Sequence, residues 1–473
     1  MAAWGKGTRT GLDALIARAD GFLTRRFTRP SITWQQAFTI LLPLMAENFF
    51  TNLFSLLNTA MISASGVTSL SAVSLVDTLN SFLYVFYSGI STGASVIVAN
   101  YRGRHDEKNL HESSVQAVTS VTTFTILTMT VIVLFNTPLL RMLFGAAEEE
   151  VMSKARTYML GTALTLPIVG VTSSVCGVLR GIGEGKTSLG YTLVSTAKYV
   201  LLNVLFLKVL SMGIAGLILS ISISRALDLF ILRLFLKRSH SRFVFRFGEF
   251  FHINPSIVRS IMRVGLPCAA ESLFFTGGRV VTQAIIVPMG TNAIATYNIS
   301  YSIMSISQIL VASVNTGMFT ITGICMGSGR EQDVRDLTKS YFVLNTVLYT
   351  LSIGAILLLF RRLVSFYHAP AEIVDTIFLC AMSTTIAQPF IHNFAFMLPN
   401  VFRAAGDGTY CTVVSLIIMW VFRVLGGWIL GSLFGLGVIG IWIAMLVDWV
   451  ARAIIFPIHF KGNKWLNHNV LRG

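Results

Sequence analysis

Apolar stretches of about twenty residues, the length that crosses a ~30 Å hydrocarbon core as a helix, recur along the whole 473-residue chain. They lie near 38–58, 71–100, 112–136, 155–179, 188–208, 216–236, 264–288, 293–326, 340–360, 375–402, 410–430 and 437–458. Inside a bilayer every backbone polar group needs an internal partner, which leaves helices or closed barrels. Barrel strands would alternate at about ten residues, and these runs do not. Connections between them are short, so no soluble domain is inserted. Only 12% of the residues are charged, against about 25% in a soluble domain. The expected fold is therefore an all-α polytopic membrane protein with twelve transmembrane helices.

A formal charge of +15 raises the question of a nucleic-acid partner, and its distribution argues for a lipid bilayer instead. Lys and Arg concentrate in 1–39, 101–111, 180–187, 237–263, 327–339 and 459–473, whereas the intervening loops carry Arg141, Lys154, Arg361 and Arg362. That asymmetry is the positive-inside bias. It predicts both termini in the cytoplasm and no nucleic acid. The five cysteines lie in or at the ends of apolar spans at no metal-like spacing, and are read as small packing residues without a disulfide framework. The N-terminal segment lacks the continuous apolar core of a cleavable signal. Leu12, Leu15, Ile16, Ala19, Phe22 and Leu23 share one helical face, which predicts an amphipathic helix on the inner leaflet, with a transit peptide as the weaker alternative.

The chain also repeats itself. At an offset of 224, Pro43 and Glu47 of "LPLMAENFF" match Pro267 and Glu271 of "LPCAAESLF", Gly66 matches Gly290, and Gly103 matches Gly327. At 223, "LRGIGEG" (179–185) matches "FRAAGDG" (402–408). Two halves of six spans each follow, with equal orientation because six is even, so they form two lobes related by a parallel pseudo-two-fold axis along the membrane normal. The predicted organisation is a cytoplasmic segment 1–34, a six-helix lobe 35–236, a cytoplasmic linker 237–263, a second lobe 264–458 and a tail 459–473.

Glu47 and Glu271 lie about eight residues from the inner ends of spans 1 and 7, or ~12 Å deep at 1.5 Å per residue. A charge at mid-bilayer costs at least ~2.5–3.5 kcal/mol on insertion scales and is a functional candidate by default. Pro43 and Pro267 each remove a helical hydrogen bond and permit a kink, so they are read as gating kinks beside the acids. The structural alternative is a carboxylate that fixes helix packing. Asp77 in span 2 is a further candidate, with Tyr301 as its repeat partner. Lys198 and Arg279 are candidate counter-ions to these acids. Arg225 with Asp228, and Asp448 with Arg452, are read as local ion pairs along one helix. In span 10, Gln388 and His392 stand one turn apart on one face. The glycine-rich turns at 181–185 and 404–408 lack a preceding strand and are read as inner-loop turns.

Taken together and in order, "LPLMAENFF…NTAMIS", "VLRGIGEGKTS", "LPCAAESLF", "VFRAAGDGT" and the final "WVFRVLGGWILGSLFGLGVIGIWIAMLVDWVARAIIFPIHFKGNKW" resemble the multidrug and toxic compound extrusion (MATE) family. The likeness runs from residue 35 to 466. It implies an antiporter with a cavity between two six-helix lobes, driven by H⁺ or Na⁺, that exports bulky, often cationic amphiphiles. Many relatives place an acid late in span 1, where this chain has Asn58. Others place an aspartate late in span 5, where Leu207 and Lys208 stand. These departures move the weight onto Glu47, Glu271 and Asp77. His392 lies where some relatives carry an acid.

The expected function is a cation-coupled antiporter, with H⁺ favoured over Na⁺, of small amphiphilic and cationic substrates. It is expected as a monomer in the plasma membrane, with no cofactor and no metal site. Glu47, Asp77 and Glu271, with Arg279 as a further candidate, are expected to reach a central cleft between the lobes or the layer of side chains directly behind it, the cleft being lined by spans 1, 2, 7 and 8. A flippase for lipid-linked saccharides, found in the wider superfamily, is the alternative. An intramembrane enzyme is remote, because no HExxH, GxSxG or paired Asp-rich motif is present.

Overall fold

The computed structural model describes the backbone of residues 18, 20–63, 67–144, 149–238, 248–249, 252–367 and 369–467, and their side chains except at 55–63, 67–71, 74, 143–144, 366 and 467. Eleven helices are long and apolar enough to cross a membrane, and a pair bent by 48° makes a twelfth span. In chain order they are α1 (Trp34–Ser63), α2 (Val67–Gly103), α3 (Glu107–Phe144), the bent α4 (Glu149–Ala163 with Leu166–Gly181), α5 (Gly185–Asn203) and α6 (Gly213–Arg238). The second set is α7 (Pro255–Ile286), α8 (Thr291–Gly327), α9 (Glu331–Phe366), α10 (Val374–His392), α11 (Gly408–Ile418) and α12 (Gly437–Lys461). Short helical and wider-turn segments continue α5 to Val209, α7 to Met289, α10 to Ala405 and α11 to Leu433, and with them each span covers the apolar stretch of the same number. Among the described residues no strand forms, only a single bridge between Arg29 and Ile32.

Several helices run past their apolar stretch, and at the start of α7 a cap rather than hydropathy sets the boundary. α7 starts at Pro255, inside the segment read as linker. There the Asn254 side chain accepts from the backbone N–H of Ser256 and Ile257, and proline at the first helical position costs no hydrogen bond. The same Asn254 donates to Glu112 (2.6 Å), and Gln116 donates to the His252 carbonyl (2.5 Å), so the approach to α7 is pinned to α3. Of the amphipathic N-terminal stretch, Leu12, Leu15, Ile16 and Ala19 lie outside the described residues. Residues 20–27 are helical, and Phe27 packs its ring against Phe38 and Tyr341.

Helices α10 and α11 are interrupted by wider i→i+5 turns, at Asn393–Met397 and at Met419–Leu425. Such turns insert a residue into the helix and re-aim the side chains around it, and they recur at functional sites.

The two halves meet along α2 and α8, and the contacts are reciprocal. Gly103 lies against the Ile324 carbonyl, while Gly327 lies against the Asn100 carbonyl. Shifting Gly103 and Ile324 by 224 exchanges the roles of the two pairs, as a two-fold axis requires. Ala99 and Gly323, themselves 224 apart, touch each other on that axis. Farther out, Gly93 of α2 packs on Gly265 of α7, and its counterpart Gly317 of α8 packs on Leu41 of α1. These close approaches lie in the halves of the helices next to the basic loops, so the basic end is shut. Gly93 leaves no room for a side chain, since a Cβ there would stand 2.5 Å from the Gly265 backbone nitrogen. Gly93→Leu is expected to destabilise the protein by about 1–3 kcal/mol, the range for overpacking. Thermal unfolding of the purified protein in detergent reads this as a lower midpoint. Gly354→Leu, on an open face of α9, is the control that leaves it unchanged.

Candidate functional site

A single cleft shared by the acids is not what forms. The deep acids occupy two polar pockets, one inside each half. The pocket in the first half encloses about 550 Å³ and is lined by Glu47, Asp77, Tyr158, Arg180, Thr192 and Asp228 among others. Its counterpart encloses about 310 Å³ and includes Glu271, Phe275, His392, Arg403, Arg423 and Trp449. Local packing explains why. α5 begins at Gly185 beside Pro43 of α1, and α11 begins at Gly408 beside Pro267 of α7. The turns that precede them therefore reach the flank of α1 and α7 away from the α2–α8 seam.

The helical ends that lead into those turns, Leu166–Gly181 and Leu398–Ala405, deliver the arginines that hold the acids. Arg180 approaches Glu47 with Nη1 3.4 Å from Oε1, and the hydroxyls of Ser188 (3.5 Å) and Thr192 (3.3 Å) complete the carboxylate's surroundings. Arg403 donates directly to Glu271 through Nη2, and its Nη1 donates to Asn400 Oδ1 (2.8 Å). Arg180 and Arg403 are equivalent positions of "LRGIGEG" and "FRAAGDG", so the whole acid–arginine pair was duplicated, not the acid alone. Neither carboxylate is sealed, with 14% of the Glu47 side chain and 13% of Glu271 exposed. Asn48, next to Glu47, donates to Ser313 of α8 (2.8 Å), so the acid-bearing turn of α1 is tied to the opposite half.

The other candidates take the following places. Asp77 lines the first pocket and accepts from the Tyr158 hydroxyl (3.1 Å). Lys198 is not the counter-ion of Glu47, Asp77 or Glu271. It pairs with Asp228 (2.6 Å), which also accepts from Ser195 (2.5 Å). Consequently the local pair expected between Arg225 and Asp228 does not form. Arg225 instead donates to Thr165 (2.5 Å) and to the Thr162 carbonyl (3.2 Å) of the bend in α4. Arg279 is exposed and stacks over the Tyr301 ring at 4.5 Å, away from Glu271. Asp448 and Arg452 pair as expected (2.9 Å). His392 is buried, with Nδ1 2.7 Å from the Tyr349 hydroxyl and its ring stacked on Phe396. Gln388 is buried and accepts from Ser307 (2.5 Å). The side chain of Asn58 lies outside the described residues. Pro43 and Pro267 sit inside helices that run unbroken through them. The sharp breaks fall at Phe135 ahead of Pro138 and at the α4 bend.

Sequence reasoning missed Arg180, Arg403 and Arg423. For the first two the signal was present, since both arginines recur at the repeat offset. For Arg423 no repeat partner exists, because Val200 stands at the equivalent position.

Comparison with known proteins supports the same duplication independently. A family model described as MatE matches twice, over residues 43–206 and 267–429, each match beginning at one of the paired prolines. The chain is 25% identical over 445 residues to "Probable multidrug resistance protein NorM" of Thermotoga maritima, covering 91% of this chain and 92% of that protein. It is 23% identical to "Uncharacterized transporter YisQ" of Bacillus subtilis, covering 93% and 95%. Among solved structures, the outward-facing conformation of a multidrug resistance MATE family transporter superposes with a TM-score of 0.81 at 18% identity, covering 93% of this chain and 96% of that one. A MATE structure in a bent conformation does so at 0.81 and 16% identity, covering 90% and 94%. Two family matches covering most of a duplicated twelve-span chain leave one assignment: the chain belongs to the MatE family, the multidrug and toxic compound extrusion transporters.

Proposed function

We propose that this transporter is an antiporter that exports small amphiphilic, cationic compounds across the plasma membrane by alternating access, with both termini cytoplasmic. The observation that carries this reading is the duplicated pair Glu47–Arg180 and Glu271–Arg403, each set in a partly open polar pocket at membrane depth. With the basic end taken as cytoplasmic, the closed α2–α8 seam makes this the outward-facing state. A carboxyl loses its charge when it takes a proton, which makes it a fit proton carrier. When Glu47 takes a proton, the attraction that holds Arg180 and the α4–α5 turn against α1 is cancelled. Glu271 does the same for Arg403 and the α10–α11 turn. The turns then move independently of α1 and α7, and Pro43 and Pro267 supply the freedom to bend.

The reading favours H⁺ over Na⁺, a monomer as the working unit and no organic cofactor. Proteoliposomes loaded with ethidium, under a pH gradient at equal Na⁺ and then under a Na⁺ gradient at equal pH, test it. Transport driven by the pH gradient alone is the expected result. Transport driven by the Na⁺ gradient alone replaces the proton with Na⁺, and transport under neither gradient overturns the antiport reading.

A further inference from the structure

The pocket in the second half carries a positive charge that the protein does not neutralise. Glu271 is matched by Arg403. Asp448 is matched by Arg452, whose Nε donates to Oδ1 at 2.9 Å and whose Nη2 donates to the Ser415 carbonyl. Arg423 remains. It is 5% exposed, and its nearest acidic atom is Asp448 Oδ2, 3.4 Å from Nε and without hydrogen-bond geometry. Among the described residues no acceptor takes a hydrogen bond from its guanidinium. The wide turn Met419–Leu425 aims it at the pocket, where it lies 5.3 Å from the Phe275 ring centre. A buried arginine with open donors in a low-dielectric site is costly unless an acceptor arrives. Its planar fork suits a carboxylate or a phosphate. Around it stand Phe275, Phe396, Met304 and Trp449, an apolar and aromatic wall for the rest of a ligand.

We infer that the pocket of the second half is a binding subsite for the anionic group of an amphiphile, a carboxylate held by Arg423 with its aromatic body against Phe275, Phe396 and Trp449. In the first half Glu47, Asp77 and Asp228 meet Arg180, Arg225 and Lys198, three acids against three bases, so these groups balance. The unmatched positive charge belongs to the second half, and an aromatic acid joins the substrate class. The inference rests on the transport reading for its biological use, but not for its test.

The test is equilibrium binding to the purified transporter in nanodiscs, read by quenching of tryptophan fluorescence and by calorimetry. The probes are 2-naphthoate, its neutral analogue 2-naphthamide and the cation 2-naphthylmethylammonium. The wild type is expected to bind the carboxylate at least tenfold more tightly than the amide. Arg423→Gln is expected to abolish that preference, and Arg423→Lys to retain part of it. Equal affinity for carboxylate and amide in the wild type, or an unchanged preference in Arg423→Gln, overturns the inference. If Arg423→Gln fails to fold, the wild-type comparison and Arg423→Lys still decide. Ethidium export under a pH gradient, measured on the same preparations, separates failure of this subsite from failure of the antiport reading.

Discussion

Glu47→Gln together with Glu271→Gln is expected to reduce gradient-driven ethidium export by at least two orders of magnitude, while leaving protein level and ethidium binding measurable. Glutamine keeps the shape of the side chain and an acceptor for Arg180 or Arg403, so the pocket survives, but it cannot carry a proton. Each single substitution is expected to remove most of the export, because both halves must release their turn for the seam between α2 and α8 to open. The measurement is initial efflux rate from proteoliposomes at matched transporter content. Wild-type rates from the double variant would make both acids structural, as buried carboxylates in helix packing often are, and would leave Asp77 and His392 as the next candidates.

Arg403→Met is expected to be the most destabilising single change at the site. It leaves Glu271 facing a pocket from which its one guanidinium partner has gone. Breaking a buried ion pair from one side typically costs about 3–5 kcal/mol. Removing both partners, as in Glu271→Gln with Arg403→Met, is expected to recover most of that loss, since no charge is then stranded. Thermal unfolding in detergent across the four proteins of this cycle measures the coupling directly. Additive losses would mean that Arg403 and Glu271 do not hold each other. The equivalent cycle at Arg180 and Glu47 is expected to give a smaller coupling, because that contact is longer (3.4 Å) and half-open on the arginine side, 25% exposed.

Much of the architecture was legible in the chain. Twelve apolar runs became twelve spans, and the repeat offset of 224 reappears in space as the reciprocal contacts of Gly103 with Ile324 and Gly327 with Asn100. The pairing of charges was less legible, for a physical reason. Periodicity sees neighbours on one helix, and it therefore suggested Arg225 with Asp228. The folded chain instead pairs Lys198 of α5 with Asp228 of α6, a contact between helices that no spacing reveals. The wide turn that carries Arg423 breaks the 3.6-residue period, so sequence patterns misplace the side chains in and after it. The arginine partners of the glutamates lay in motifs read only as turns. Their recurrence at 223, beside acids recurring at 224, was the clue that they belong to the same duplicated device.

The central claim is that the two carboxylates hold the coupling ion in exchange for substrate, and proton release on substrate binding tests it most directly. Purified transporter in weakly buffered detergent solution, with a pH-indicating dye, is mixed with ethidium and the protons released per ethidium bound are counted. The account predicts release from the wild type that is lost in the double variant Glu47→Gln with Glu271→Gln. Ethidium binding without release in the wild type, or equal release from the double variant, would contradict it.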